Sequence, residues 1–562
     1  MKLLNRPFLQ TYSQLSGQFF LSNFFFMVAI PLVCFLFHIP IASWQYILSL
    51  VLSAGFIFLL NSTTKNPLSL NGLLTCLGSC LLLTILFMAI ASIFYDISWD
   101  GPEYHQGAII ELKNGWNPIY QPFSGIRKSI YDLFIFNYAK SSWIAQAVMY
   151  ACVGNIQFAK SLHLMMMFSV AALAVSFMLS FEKIRIRFIL LIAFVLAFNP
   201  ITITQFFTFY LDALLSSCLI CMFILLINYY REERKLLYLP GIFFAVHLAS
   251  TLKFTGIVYA IMFSFFFILA YVIAGKIRKA VQLGVVFGLM HLSILCSTGY
   301  NPYVTNLIEF HHPFYPLNKI KFPTNAQLPV GFVEQNRVTN FFVSLFSRTQ
   351  NAQAPQKATL KIPFTYSVSE ISLHPVADAR LGGFGVWFSG VFLLSLYLLY
   401  DIIRHEKLSY QSPYFWFLYL HISILMTVFI APHPWWARYV PQFYLFPFII
   451  LIYSFLYRDA KPARIVRYML LAAMVVNSYL TFEGTLRKNI PINRMIRAQL
   501  KELKAENKKV YLSTNELSNV TRLTDQGIET KIVKDEELTC KEILYLKVLE
   551  KHQAGRYCLQ EK

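Results

Sequence analysis

The sequence predicts an all-α polytopic membrane protein of about thirteen transmembrane helices, with a small α/β module after the last of them. Three observations carry that prediction. Hydrophobic residues make up 57% of the 562-residue chain and charged residues only 14%, with mean hydropathy +0.53, against about 25% charge in a soluble domain. Apolar runs long enough for a helix to cross a bilayer recur along the chain. The Lys and Arg residues collect in the short links between those runs, on one side of the predicted topology. The same sorting accounts for the formal charge of +20, which in a soluble protein would point to nucleic acid. No nucleic-acid partner is expected.

The runs lie near residues 20–38, 44–60, 72–94, 161–181, 187–205, 209–230, 237–252, 255–274, 280–298, 383–401, 414–431, 440–457 and 466–482. The lead "MKLLNRPFLQTYSQLSGQ" has no short apolar core with a small-residue cleavage site, and is read as cytoplasmic. With that start, the links "EKIRIR" (182–187), "REERK" (231–235), "GKIRK" (275–279), "IIRHEK" (402–407) and "YRDAKPARIVR" (457–467) all fall on the cytoplasmic side. Two long polar loops, 95–160 and 299–382, then lie outside, as does the tail.

The membrane domain is expected over residues 1–482 and the tail module over 483–562. The tail is rich in Lys and Glu and reads as a helix followed by strands at "KVYLST" and "ETKIVK". Of nine cysteines, only Cys540 and Cys558 sit in it. They are expected to pair in an oxidising compartment. No zinc or haem spacing is present.

The first outer loop opens with "YDISWDGPEYHQGAIIELKNGWNP" (95–118), rich in carboxylates at a membrane edge. Asp100, Pro102 and Glu103 have helix-start spacing. Asp100, Glu103, Tyr104, Gly107, Ala108 and Glu111 then share one face. A capping box alone explains that pattern. A carboxylate among interfacial rings (Trp99, Tyr104, Trp116, Tyr120) can also accept a proton from an acceptor hydroxyl, or hold a divalent cation, the less favoured role.

Here the chain resembles the GT-C glycosyltransferases, multispan enzymes that use polyprenyl-linked sugar donors. The stretch is similar to the first loop of the branch containing the protein mannosyltransferases and the lipid A aminoarabinose transferases. Asp100, Tyr104 and Ala108 match its "D…Y…A", and Leu112, Gly115 and Pro118 its "L-x-x-G-x-x-P". Many members have a second acid beside the first, where this chain has Gly101. The resemblance implies that Asp100 is the base or acceptor-positioning residue, with Glu103 and Asp212 in reserve.

Four later stretches complete the predicted site. "NPITITQFFTFYLDALLSSC" (199–218) puts Tyr210 and Asp212 at the outer end of a span, where an intramembrane carboxylate is costly. A helix cap or a partner for Lys253 is the plainer reading. "HLASTLKFTGIVYA" (247–260) places Lys253 near the outer face, to snorkel or to meet a donor phosphate. "PVADARLGGFGVWFSG" (375–390) brings Asp378 and Arg380 to a glycine-rich span entry, a weak signal by itself. "APHPWWARYVPQFYLFP" (431–447) sets His433, Arg438 and Tyr439 at a span lip. These are interfacial anchors on the plainer reading, and by resemblance to the last GT-C outer loop a phosphate site at Arg438.

His311 and His312 in "FHHPFYPLN" do not share a helix face and lack further metal ligands in sequence. No metal site and no cofactor is assigned. The expected reaction moves a sugar from a polyprenyl phosphate to a lipid-linked glycan, lipid A or a protein, outside a bacterial inner membrane. In an endoplasmic reticulum, Asn519-Val-Thr would be a glycosylation acceptor. The rival classes are a polysaccharide polymerase or ligase, a lipid-linked-glycan flippase, which would want charges at mid-bilayer and broken helices in paired halves, and a structural membrane scaffold, which would not need Asp100 and Asp212 beside the bilayer.

Overall fold

The structure is a computed structural model that describes residues 6–123, 130–319, 328–350, 357–373, 378–538, 542–548 and 554–560. Every predicted apolar run falls on a helix. Ten are long and apolar enough to cross a membrane: Arg6–Leu36, Ser43–Thr63, Leu70–Ser92, Ile156–Leu179, Asp212–Glu232, Lys235–Leu252, Phe254–Ile273, Ile277–Leu295, Phe388–His405 and Lys461–Glu506. The other three runs form shorter apolar helices, Ile186–Ala197, Pro413–Phe429 and Pro441–Tyr457. The protein is therefore an all-α polytopic membrane protein.

Local chemistry sets where these helices stop. The run predicted at 187–205 breaks at Asn199, whose Oδ1 accepts the backbone N–H groups of Ile201 and Thr202, with Pro200 opening the next short helix. Between Lys235–Leu252 and Phe254–Ile273 the only intervening residue is Lys253, in extended conformation. Gly256 makes that junction feasible, because a Cβ there would run into the carbonyl of Ala249. Asp212–Glu232 is buried along almost its whole length, as expected of a helix that is apolar all round at the centre of a bundle. Ser43–Thr63 and Leu70–Ser92 instead leave large apolar side chains such as Leu59, Leu82 and Ile85 exposed, a face suited to lipid.

The basic links gather at one end of the bundle. Arg6 donates to the Phe181 carbonyl at 2.8 Å, Lys183 to that of Leu456 at 2.8 Å, and Arg231 to Ser180 Oγ at 2.9 Å. Lys276 pairs with Glu233 at 2.8 Å and Arg458 with Asp401 at 2.9 Å. The helix that begins at Asp212 ends at this basic end, roughly 30 Å away for its 21 residues.

The first long loop is itself helical: a π turn Gly101–His105, then Gln106–Lys113, Ile130–Asn137 and the mostly buried Ser141–Val153. The tail holds a four-stranded sheet of β1 (Lys509–Ser513), β2 (Thr530–Ile532), β3 (Leu544–Tyr545) and β4 (Arg556–Gln560), in the order β2-β1-β4-β3. β1 and β2 are parallel and joined through the helix Leu517–Thr524. The other two pairings are antiparallel. The predicted strands are β1 and β2.

The boundary predicted at 482/483 falls inside one uninterrupted 46-residue helix, Lys461–Glu506. Its far end supplies Ile496, Leu500 and Leu503 to the tail core, where Tyr95 and Ile97 of the first loop join them. The tail is thus anchored twice. Asp525 accepts the Tyr150 hydroxyl at 2.8 Å and the Ile156 N–H at 3.0 Å, fixing it to the first loop. Cys558 is disulfide-bonded; its predicted partner, Cys540, lies outside the described residues. Asn519 is buried and donates to Thr514 Oγ1 at 3.0 Å, so the Asn-Val-Thr sequence is closed to glycosylation in the folded tail.

Candidate functional site

At the end of the bundle opposite the basic links, five segments far apart in sequence bring six charged side chains together. Arg438, in the 3-10 turn Ala437–Tyr439, is the hub. Its Nη1 lies 3.4 Å from Asp100 Oδ2 and 3.6 Å from Asp212 Oδ2, and its Nη2 lies 3.1 Å from Asp378 Oδ1. Lys253 Nζ is 2.6 Å from Asp212 Oδ1, and Arg380 Nη2 is 3.8 Å from Asp378 Oδ2.

Aromatic faces hold the cations. The Arg438 guanidinium stands 4.3 Å from the Trp436 ring centroid, 5.2 Å from Tyr210 and 5.5 Å from Tyr439. Lys253 sits 4.3 Å above Tyr439, and Arg380 is 5.3 Å from Trp436. Trp435 and Trp436 are buried, so they pack the site and do not anchor it at a lipid interface.

The three carboxylates are not equivalent. Asp212 is sealed, with 2% of its side chain exposed. Gln205 clamps it, donating from Nε2 to Asp212 Oδ2 at 3.2 Å while its Oε1 accepts the Ala213 N–H at 2.8 Å. The Asp100 and Asp378 side chains keep 22% and 20% exposure, so these two are partly open to solvent. Burial pushes the Asp100 carboxyl above the ordinary range against the pull of Arg438. The same balance pushes Asp378 up to about 6.

Asp100 does not cap the helix, and no capping box forms. The segment is a π turn with Gln106 N–H bonded to Gly101 C=O, and the Asp100 side chain turns to Arg438 instead. The π turn also separates residues expected on one face. Glu103 is turned to Glu516 of the tail, whose carboxyl is pushed up to about 9 by burial and by Glu103. Glu103 is therefore not a second acid of the cluster.

Tyr104 lies in an aromatic layer, stacked 5.8 Å from Tyr131 and edge-on to Trp143 at 6.4 Å. Trp116 donates to the Gln121 carbonyl at 3.1 Å and packs edge-on to Phe123, bonds internal to the loop, so the role expected for it in binding substrate has no support. His433 packs beside Trp435 and Tyr439 at the rim. Among the described residues no group of three His, Cys, Asp or Glu side chains is placed to hold a metal ion. Arg438 lies in contact with all three aspartates, where a bridging cation would have to sit.

Sequence reasoning underrated Asp96. It is 1% exposed, and its two oxygens accept the N–H groups of Ser98 and Phe209, each at 2.8 Å. It thereby ties the first loop to the segment carrying Tyr210, whose hydroxyl accepts the Asp100 N–H at 3.3 Å. Asp96 also explains Gly101, since a Cβ there would collide with Asp96 Oδ2. Asp96 takes the room a second acid at 101 would need. Four-residue spacing to Asp100 was its only signal.

Gly101→Ala should therefore cost about 1–3 kcal/mol, read as a lowered Tm in detergent. Gly107→Ala, where a Cβ would meet nothing closer than 3.9 Å, should leave Tm nearly unchanged. Equal Tm for both variants would remove the steric account. Comparison with protein-family models, with curated proteins and with solved structures finds no match to this chain.

Proposed function

We propose that this protein is a GT-C-type glycosyltransferase that moves a sugar from a polyprenyl-phosphate donor to a hydroxyl of a lipid, glycan or protein acceptor. The observation that carries the reading is the pairing of a half-open carboxylate, Asp100, with a buried cationic group of Arg438, Lys253 and Arg380. Transfer between oxygens needs both. Asp100 takes the acceptor proton as the acceptor oxygen bonds to the anomeric carbon. The bond from that carbon to the phosphate oxygen breaks, its electron pair stays on the phosphate, and the guanidinium groups stabilise the charge in a site shielded from water. Asp212 holds Lys253 and Arg438 in place. Tyr210, Tyr439 and the Tyr104 layer offer rings for a sugar to lie against.

The charges lie at helix ends and not at mid-bilayer, which favours an enzyme over a flippase. The basic end is assigned to the cytoplasm and the site and tail to the outside of a bacterial inner membrane. Cysteines placed in the exposed parts of the tail of a cysteine-reduced variant should react with a membrane-impermeant maleimide in whole cells. Reaction only after lysis would reverse the topology.

The activity is tested with purified protein in liposomes, labelled polyprenyl-phosphate sugars and extracted envelope lipids or glycans. Label should pass to an acceptor with release of an equal amount of polyprenyl phosphate. Failure across hexosyl and pentosyl donors with all acceptor fractions would defeat the reading.

A further inference from the structure

The cluster is electrically balanced. Asp100, Asp212 and Asp378 face Lys253, Arg380 and Arg438, and each contact is one of opposite charges. On the donor reading above, on which this inference rests, a phosphodiester brings one more negative charge into that buried group. An uncompensated charge there is costly, so one resident carboxylate has to give way.

Geometry singles out Asp378. Asp212 is sealed and held by Lys253 and Gln205. Asp100 meets Arg438 through one oxygen and is the base of the proposed reaction. Asp378 instead sits between two guanidinium groups, Oδ1 toward Arg438 and Oδ2 toward Arg380. Among the described residues its buried Oδ1 has no hydrogen-bond partner. Both guanidinium groups also lie against Trp436, at 5.3 and 4.3 Å from its ring centroid, a contact that Asp378 does not supply. Two forked donors held this way match a tetrahedral phosphate group as well as a planar carboxylate.

We propose that Asp378 is a built-in stand-in for the donor phosphate: its carboxylate occupies the seat between Arg380 and Arg438, and the donor binds by displacing or neutralising it. The ligand class for that seat is a lipid-linked phosphate. Asp378 then opposes donor binding, the reverse of what a substrate-binding carboxylate would do.

The test is direct binding of a long-chain polyprenyl methyl phosphate, a diester with one fixed negative charge, to the full-length protein in nanodiscs. Asp378→Asn keeps the shape and removes the charge. It should tighten Kd by between about three- and tenfold. Asp378→Ser should do the same, which guards against an Asn-specific packing effect, and Tm reports whether each variant folds.

Wild-type affinity should rise as pH falls through about 6, where Asp378 takes up its proton. The groups facing it are Arg380 on its own segment, Arg438 and Tyr439 from the 437–439 turn, Asp100 from the first loop, and Tyr210 and Asp212 from the 205–212 segment. The pH response that belongs to Asp378 is the part lost in Asp378→Asn. Unchanged or weaker binding in both folded Asp378 variants overturns the stand-in while leaving the donor reading intact. Wild-type binding that is absent, or indifferent to Arg438→Ala, overturns the donor reading itself.

Discussion

Asp100→Asn should lower kcat for sugar transfer by roughly 10²–10⁴-fold in protein that still folds, and donor Kd should not weaken, because the change takes a negative charge away from Arg438. The amide has nearly the carboxylate's shape and can still meet Arg438 through its oxygen, but it cannot take a proton. Two other carboxylates lie nearby, yet Asp212 is sealed and Asp378 faces the arginines, so neither replaces it. The pH profile is a second reading of the same group. A base works only when ionised, so wild-type kcat/KM should rise with pH. Because burial holds the Asp100 carboxyl above its ordinary value, that rise should lie above the usual Asp range near 3.9. Near-normal transfer by Asp100→Asn in assayed membranes would sink the role.

Arg438→Ala should be the most damaging single change in the protein. It deletes the contact shared by Asp100, Asp212 and Asp378 and leaves three buried or half-buried carboxylates facing an empty space. Breaking such a group from one side costs about 3–5 kcal/mol, so Tm should fall steeply and donor binding should be lost. Arg438→Lys is not a conservative change, because one ammonium cannot reach carboxylates on different sides as a planar fork does. Adding Asp378→Asn to Arg438→Ala should recover part of the lost stability by removing one of the stranded charges. Full stability in Arg438→Ala would show that the cluster does not hold these segments together.

Much of this was legible in the chain. Apolar runs and charged links are local properties, and each long apolar helix followed from them. Eight of the twelve residues singled out lie in or against the Arg438 cluster: Asp100, Tyr210, Asp212, Lys253, Asp378, Arg380, Arg438 and Tyr439. The six charged ones could be found because charge beside a membrane span is costly wherever it occurs; Tyr210 and Tyr439 came with the stretches that hold Asp212 and Arg438. Glu103, singled out for its charge, and Trp116, singled out as an interfacial ring, make their contacts elsewhere. Their surroundings are the tail and the loop's own turns, which no local pattern displays. The same limit hid Asp96 and Gln205, whose value lies in the backbone groups and side chains they hold.

By itself the sequence determined a helical membrane protein, the sorting of its basic links and the charged residues at its helix ends, because burial of apolar surface and the cost of charge act residue by residue. Only the tertiary structure decided that side chains from position 100 to position 438 share one guanidinium. It also decided that a π turn sends Asp100 and Glu103 to different partners, and that the last membrane helix runs unbroken into the tail. Those outcomes depend on contacts between segments hundreds of residues apart, and their geometry is fixed only when the helices pack.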